Sequence, residues 1–124
     1  KAGKAVYFYA GVCELQLGNF ESAIKYLESY NGKDAILAAR ATACIGDAYV
    51  GLENYEKALA CFEKAASTVD NMFAAGYLLK AGAVAEKLGQ NAKALGFYET
   101  IKDQYPQSVE AYDIDKYIGR IENK

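Results

Sequence analysis

Apolar residues return every three or four positions in seven successive stretches of this chain, the spacing of one face of an α-helix. The first, about residues 2–17, places Val6, Ala10, Cys13 and Leu17 on one stripe. The second, about 20–30, turns Phe20, Ala23, Ile24 and Leu27 inward. Further helices are predicted over about 35–51, 55–67, 71–88, 92–104 and 109–122. The last carries Ala111, Ile114, Ile118 and Ile121 on one face and Glu110, Asp113, Lys116, Arg120 and Glu122 on others. The breaks between stretches have their own chemistry. Gly18-Asn19, Leu52-Glu53-Asn54 and Gly89-Gln90-Asn91 read as turns. Asn31-Gly32 ends the second helix, with Gly32 expected in the left-handed conformation that follows a helix C-terminus. Asp34, Asp70 and Ser108 are expected to cap the helices they precede. Pro106, the only proline, stops the sixth helix because it offers no amide and disfavours helix at Tyr105.

A fixed skeleton runs through these helices. Gly11, Gly46 and Gly82 each precede an alanine (Ala23, Ala58, Ala94) by twelve residues, and a large side chain (Leu27, Phe62, Tyr98) follows four later. The alanines recur at 35 and then 36 residues. A period of that length marks stacked helix pairs, each packing mainly on its neighbours. Glycine inside a helix costs roughly 0.5–1 kcal/mol relative to alanine, a cost that fits a place where the facing helix comes close. Alanine is the matching small residue, so the two axes can approach to the short end of about 8–10 Å.

Glycine, alanine and the large residue at these spacings, with an LG or LE turn between, resemble the tetratricopeptide repeat. The second unit matches that pattern best through Gly46, Tyr49, Tyr55, Ala58, Phe62 and Ala65. The third has Asn91 where an aromatic is usual, and the first has Tyr30 where alanine is usual. The resemblance implies an all-α, right-handed helical solenoid of three helix-turn-helix repeats (about 4–32, 35–68 and 71–106). A capping helix at about 109–122 completes it, making seven helices in one domain over 1–124. It also implies a concave groove lined by the first helix of each repeat. In this register the groove positions are Phe8 and Val12, Ala43 and Asp47, Leu79 and Ala83, with Tyr117 extending the row on the capping helix. Phe8 and Tyr117 are expected there as exposed anchors outside the helix-pair core. The lysine and asparagine that clamp a chain-terminal carboxylate in some family members are missing, since Phe8 and Val12 hold those places.

Composition narrows the chemistry. A formal net charge of −2, only two arginines (Arg40 and Arg120) and scattered lysines argue against nucleic acid, whose phosphates call for a basic surface. There is no histidine, which removes the commonest metal ligand and the usual general base near neutral pH. No cofactor and no metal are expected. Cys13, Cys44 and Cys61 lie within apolar helical stripes and are odd in number, so they are expected as small buried side chains.

The acid pairs Asp113/Asp115 and Glu53/Glu56 read as solvated helix charges. DIDKYIGR lacks the calcium-loop spacing, and GVCELQLG is no phosphate loop because no lysine-serine follows its glycines. Many of the eleven tyrosines fall at repeat packing positions. The expected function is therefore a non-enzymatic adaptor or scaffold that binds a protein or peptide segment. Structural self-association and glycan binding by exposed tyrosines are the rival readings. The run ending in DIDKYIGRIE is also similar to the soluble part of bacterial cell-envelope proteins with such repeats. That resemblance implies an adaptor in secretion or quality control, tethered through an N-terminal membrane helix outside this chain and facing the periplasm. Three free cysteines fit a reducing compartment such as the cytoplasm instead.

Overall fold

The computed structural model describes residues 2–70 and 72–123. Seven α-helices occur among them: α1 (Ala2–Gln16), α2 (Phe20–Ser29), α3 (Ala35–Gly51), α4 (Tyr55–Thr68), α5 (Met72–Lys87), α6 (Asn91–Gln104) and α7 (Ile114–Glu122). Each packs mainly against the next in the chain, as stacked repeats do. The protein is an all-α helical-repeat solenoid.

The three turns inside the helix pairs are one structure used three times. Gly18, Glu53 and Gly89 adopt φ of 81°, 60° and 76°. At each, two amides fold back onto the preceding helix. The first turn bonds Gly18 N to Leu15 O and Asn19 N to Glu14 O, at 3.0 and 2.9 Å. Glu53 and Asn54 repeat this on Val50 and Tyr49, and Gly89 and Gln90 repeat it on Glu86 and Ala85. This doubled bond satisfies carbonyls that a helix end leaves open. Glycine suits the left-handed residue at two turns, whereas Glu53 holds it with a side chain attached.

Other boundaries differ from expectation in two places. Gly32 is not left-handed. α2 instead ends on an extended Tyr30, whose ring lies where a Gly32 side chain would begin. The last helix is not continuous from 109. A 3-10 turn, Glu110–Asp113, precedes α7, and Ser108 caps that turn by accepting Ala111 N at 3.1 Å. Asp34 does cap α3, accepting Ile36 N and Leu37 N at 2.9 and 3.1 Å. The position before Met72, where α5 would be capped, lies outside the described residues, and Asp70 accepts the Tyr105 hydroxyl at 2.8 Å.

The glycine–alanine skeleton packs as its spacing suggests, with one refinement. Ala23, Ala58 and Ala94 are fully buried. It is the large residue four later that covers the glycine. A methyl on Gly46 would stand 2.7 Å from the Phe62 ring, and one on Gly82 would enter the Tyr98 ring. The side chain expected to fill the gap toward the next unit also closes its own helix pair.

Two cores result. The larger runs from Ala39 in α3 to Ile121 in α7 and holds Phe62, Tyr98 and Ile101. The smaller consists of Phe8, Ala23, Leu27 and Ala41, with Val12, Leu15 and Tyr30 packed on it. The stripe expected to face inward from α1 is corrected here. Val6 and Leu17 are 61% and 72% exposed, and Cys13 is exposed too. The inward face carries Phe8, Gly11, Val12 and Leu15.

Candidate protein-binding groove

A groove on the first helices lies between α3 and α5. Ile36, Arg40, Ala43, Cys44 and Asp47 stand at helical spacing on α3, and Phe73, Tyr77 and Lys80 stand likewise on α5. Together they line an open cavity of about 350 Å³. Its floor is Ala43, buried at the edge of the main core. Ile36 and Phe73 at the lip are 46% and 45% exposed.

One ion pair joins the two walls. Lys80 Nζ donates to both carboxylate oxygens of Asp47, at 2.9 and 3.0 Å. The same ammonium lies 5.7 Å from the centre of the Phe62 ring, close enough for cation–π attraction. The pair is half exposed on the lysine side, so it orients the walls more than it stabilises them. Arg40 differs. It is exposed, and among the described residues it makes no ion pair. Burial pushes the Cys44 thiol up, and Asp47 pushes it further, while Lys80 and Arg40 oppose. Burial also raises the Tyr77 phenol, against which Arg40 acts first. The Arg40 charge therefore bears on the groove interior.

Toward α7 the polar groups satisfy one another. Tyr98 Oη donates to Glu86 at 2.6 Å, and Arg120 pairs with the same carboxylate. Tyr117 stacks on Tyr98 with ring centres 5.6 Å apart, and the Arg120 guanidinium covers its ring at 5.0 Å. Burial, then the bond to Glu86, pushes the Tyr98 phenol well above its usual range. This end is closed by its own side chains.

The seven expected groove residues do not form one exposed row. Phe8 is 5% exposed and belongs to the smaller core, where it meets the Tyr30 ring at 5.6 Å. Its expected place outside the helix-pair packing is corrected, because its side chain points between α1, α2 and α3. Val12 packs on the same core. Leu79 and Tyr117 are half-buried against the main core, and Ala83 is exposed. Only Ala43 and Asp47 line the α3–α5 cavity. Sequence reasoning missed Arg40, Cys44, Tyr77 and Lys80. The available signal was register: Cys44 and Lys80 follow Ala43 and Leu79 by one residue each and occupy equivalent places 36 apart.

The cysteine expectation is likewise corrected. Cys13 is exposed and Cys44 and Cys61 are half-buried, so none is a fully enclosed core residue. Among the described residues no cluster of three metal-ligating side chains occurs. No helix among them is long and apolar enough to cross a membrane.

Comparison with known proteins agrees with this architecture. A family model described as a tetratricopeptide repeat matches residues 45–109, and a second of the same description matches residues 5–33. No curated protein matches the chain. Among solved structures, a TPR-like protein from Chlorobium tepidum superposes with a TM-score of 0.64 at 14% identity, over 98% of this chain and 91% of that one. At that identity the likeness speaks for the fold alone.

Proposed function

The chain belongs to the tetratricopeptide repeat family, whose repeats mediate protein–protein interaction, and we propose that it is a non-enzymatic adaptor binding an extended segment of a protein partner between α3 and α5. The observation that carries this reading is the α3–α5 cavity, open and walled by both first helices. Its lip offers apolar area through Ile36 and Phe73, while Arg40, Asp47 and Lys80 supply directional polar contacts. Binding hot spots combine these ingredients, an aromatic or arginine anchor with a rim that excludes water. The α5–α7 end, where Tyr117 and Arg120 are engaged with Tyr98 and Glu86, frames the groove instead of receiving the partner.

The test is selection of peptides from a display library on the immobilised protein. Binding of the selected peptides is then measured on Tyr77→Ala and on Tyr26→Ala, which lies on α2 away from the groove. Loss on the first variant alone supports the groove. Equal binding to both variants places the site elsewhere and removes this reading. We further place the adaptor at a bacterial envelope, on the similarity of the run from the first repeat to the tail DIDKYIGRIE. Fractionation of cells that make the full-length protein tests that placement, and recovery in the soluble cytoplasmic fraction would refute it.

A further inference from the structure

We propose that the segment taken up between α3 and α5 carries a single carboxylate beside an apolar side chain, with the carboxylate on the Arg40 guanidinium. This inference rests on the groove reading above and adds the chemistry of the partner.

Charge balance is the first argument. Of the charged residues lining the cavity, Arg40 and Lys80 are positive and Asp47 is negative, which leaves +1 in a chain whose net charge is −2. Lys80 and Asp47 neutralise each other at 2.9 Å, so the surplus sits on Arg40. A planar guanidinium presents paired donors that match a carboxylate. One monoanion cancels the surplus. A phosphate group, carrying about −1.5 to −2 charges at neutral pH, would instead leave negative charge beside Asp47.

The repeat register supplies the second argument. One period along from Arg40 stands Gly76, and the Glu110 carboxylate overhangs it, 3.2 Å from where a side chain would start. The equivalent place in the next unit is therefore acidic, and of the two cations in the groove Arg40 alone has no ion-pair partner among the described residues. The neighbouring surface is apolar: Ile36 and Phe73 are about half exposed, and Tyr77 lies between Phe73 and Lys80 along α5. A segment that seats its acid on Arg40 thus lays the adjoining side chain on this lip.

The experiment is a display library of random twelve-residue peptides held inside flanking protein, so that no free chain terminus is offered. It is selected in parallel on the wild-type domain, Arg40→Glu and Tyr77→Ala. Melting of each variant is recorded, and Arg40, being exposed, is expected to leave it unchanged. Wild type should enrich peptides with one Asp or Glu next to a large apolar residue, and Arg40→Glu should enrich Lys or Arg at that place. In solution, changing the selected acid to its amide, or Arg40 to Gln, should weaken binding by about tenfold or more. Added salt should erase part of that difference.

Enrichment of purely apolar peptides that Tyr77→Ala abolishes and Arg40→Glu leaves alone would overturn the carboxylate while sparing the groove. Peptides indifferent to both variants, or no enrichment at all, would overturn both. Tighter binding when phosphoserine replaces the acid would overturn the single-charge argument.

Discussion

The first helix pair and the second share one skeleton and reach different ends. In α3–α4, Gly46, Ala58 and Phe62 close a core that continues through α5 and α6 to α7. In α1–α2, Gly11, Ala23 and Leu27 close a core of four buried residues. Glycine and alanine set how near two helices come in both pairs. The depth of the core depends on the covering side chain and on what lies beyond it. Phe62 is flanked by α5, whose Lys80 reaches over its ring. On the outer side of α1, by contrast, Val6, Tyr9 and Leu17 are 61%, 63% and 72% exposed. A repeat skeleton thus specifies the pair, and the neighbours specify its stability.

The largest effect expected from this contrast is at the covering residue. Phe62→Ala should cost about 3–5 kcal/mol and Leu27→Ala should fall toward the lower end of about 2–5 kcal/mol. Amide exchange in α2 should report openings of lower free energy than in α4. Equal protection in the two helices would break the comparison and make the solenoid one cooperative unit.

Next in size is overpacking at the small position. Ala58, with no exposed surface, should cost about 1–3 kcal/mol as Leu. Ala23→Leu should cost less, since α1 is held by the smaller core and can shift. Thermal melting of both variants decides this, and a neutral Ala58→Leu would refute the assigned helix-pair contact.

A pH effect is expected in the larger core. The Tyr98 phenol is 1% exposed, and burial and the Glu86 bond raise it above its ordinary value, about 10 in the unfolded chain. The folded state therefore holds this proton more tightly. The stabilisation is complete below about pH 10 and is lost as pH rises above it. Wild type should lose stability more steeply than Tyr98→Phe in that range, measured by denaturant midpoints. Parallel curves would show that Tyr98 ionises without cost.

The smallest expected change is a gain. Glu53 occupies a left-handed backbone position that the other two turns give to glycine. That conformation costs a residue with a side chain about 1–2 kcal/mol. Glu53→Gly should stabilise the second pair by under about 1 kcal/mol, after the added freedom of the unfolded chain is deducted. A loss would mean the glutamate side chain compensates locally.

Much of this protein is determined by local sequence. The recurrence of Gly46–Ala58–Phe62 at Gly82–Ala94–Tyr98, the Asp34 cap and the three equivalent turns all depend on residues within one helix pair, where spacing along the chain fixes spacing in space. Tertiary structure decided the rest. In α1, apolar side chains occur on both sides, so periodicity alone allowed the Val6–Leu17 stripe or the Phe8–Leu15 stripe. Contact with Leu27 and Ala41 selected the second and buried Phe8. The groove needed the same long-range information: Asp47 meets Lys80 across 33 residues, and Arg40 stands out only once these two other charges of the cavity are seen to pair. Helical period says that a face exists. Burial against a neighbour, which a single helix does not encode, says which face it is.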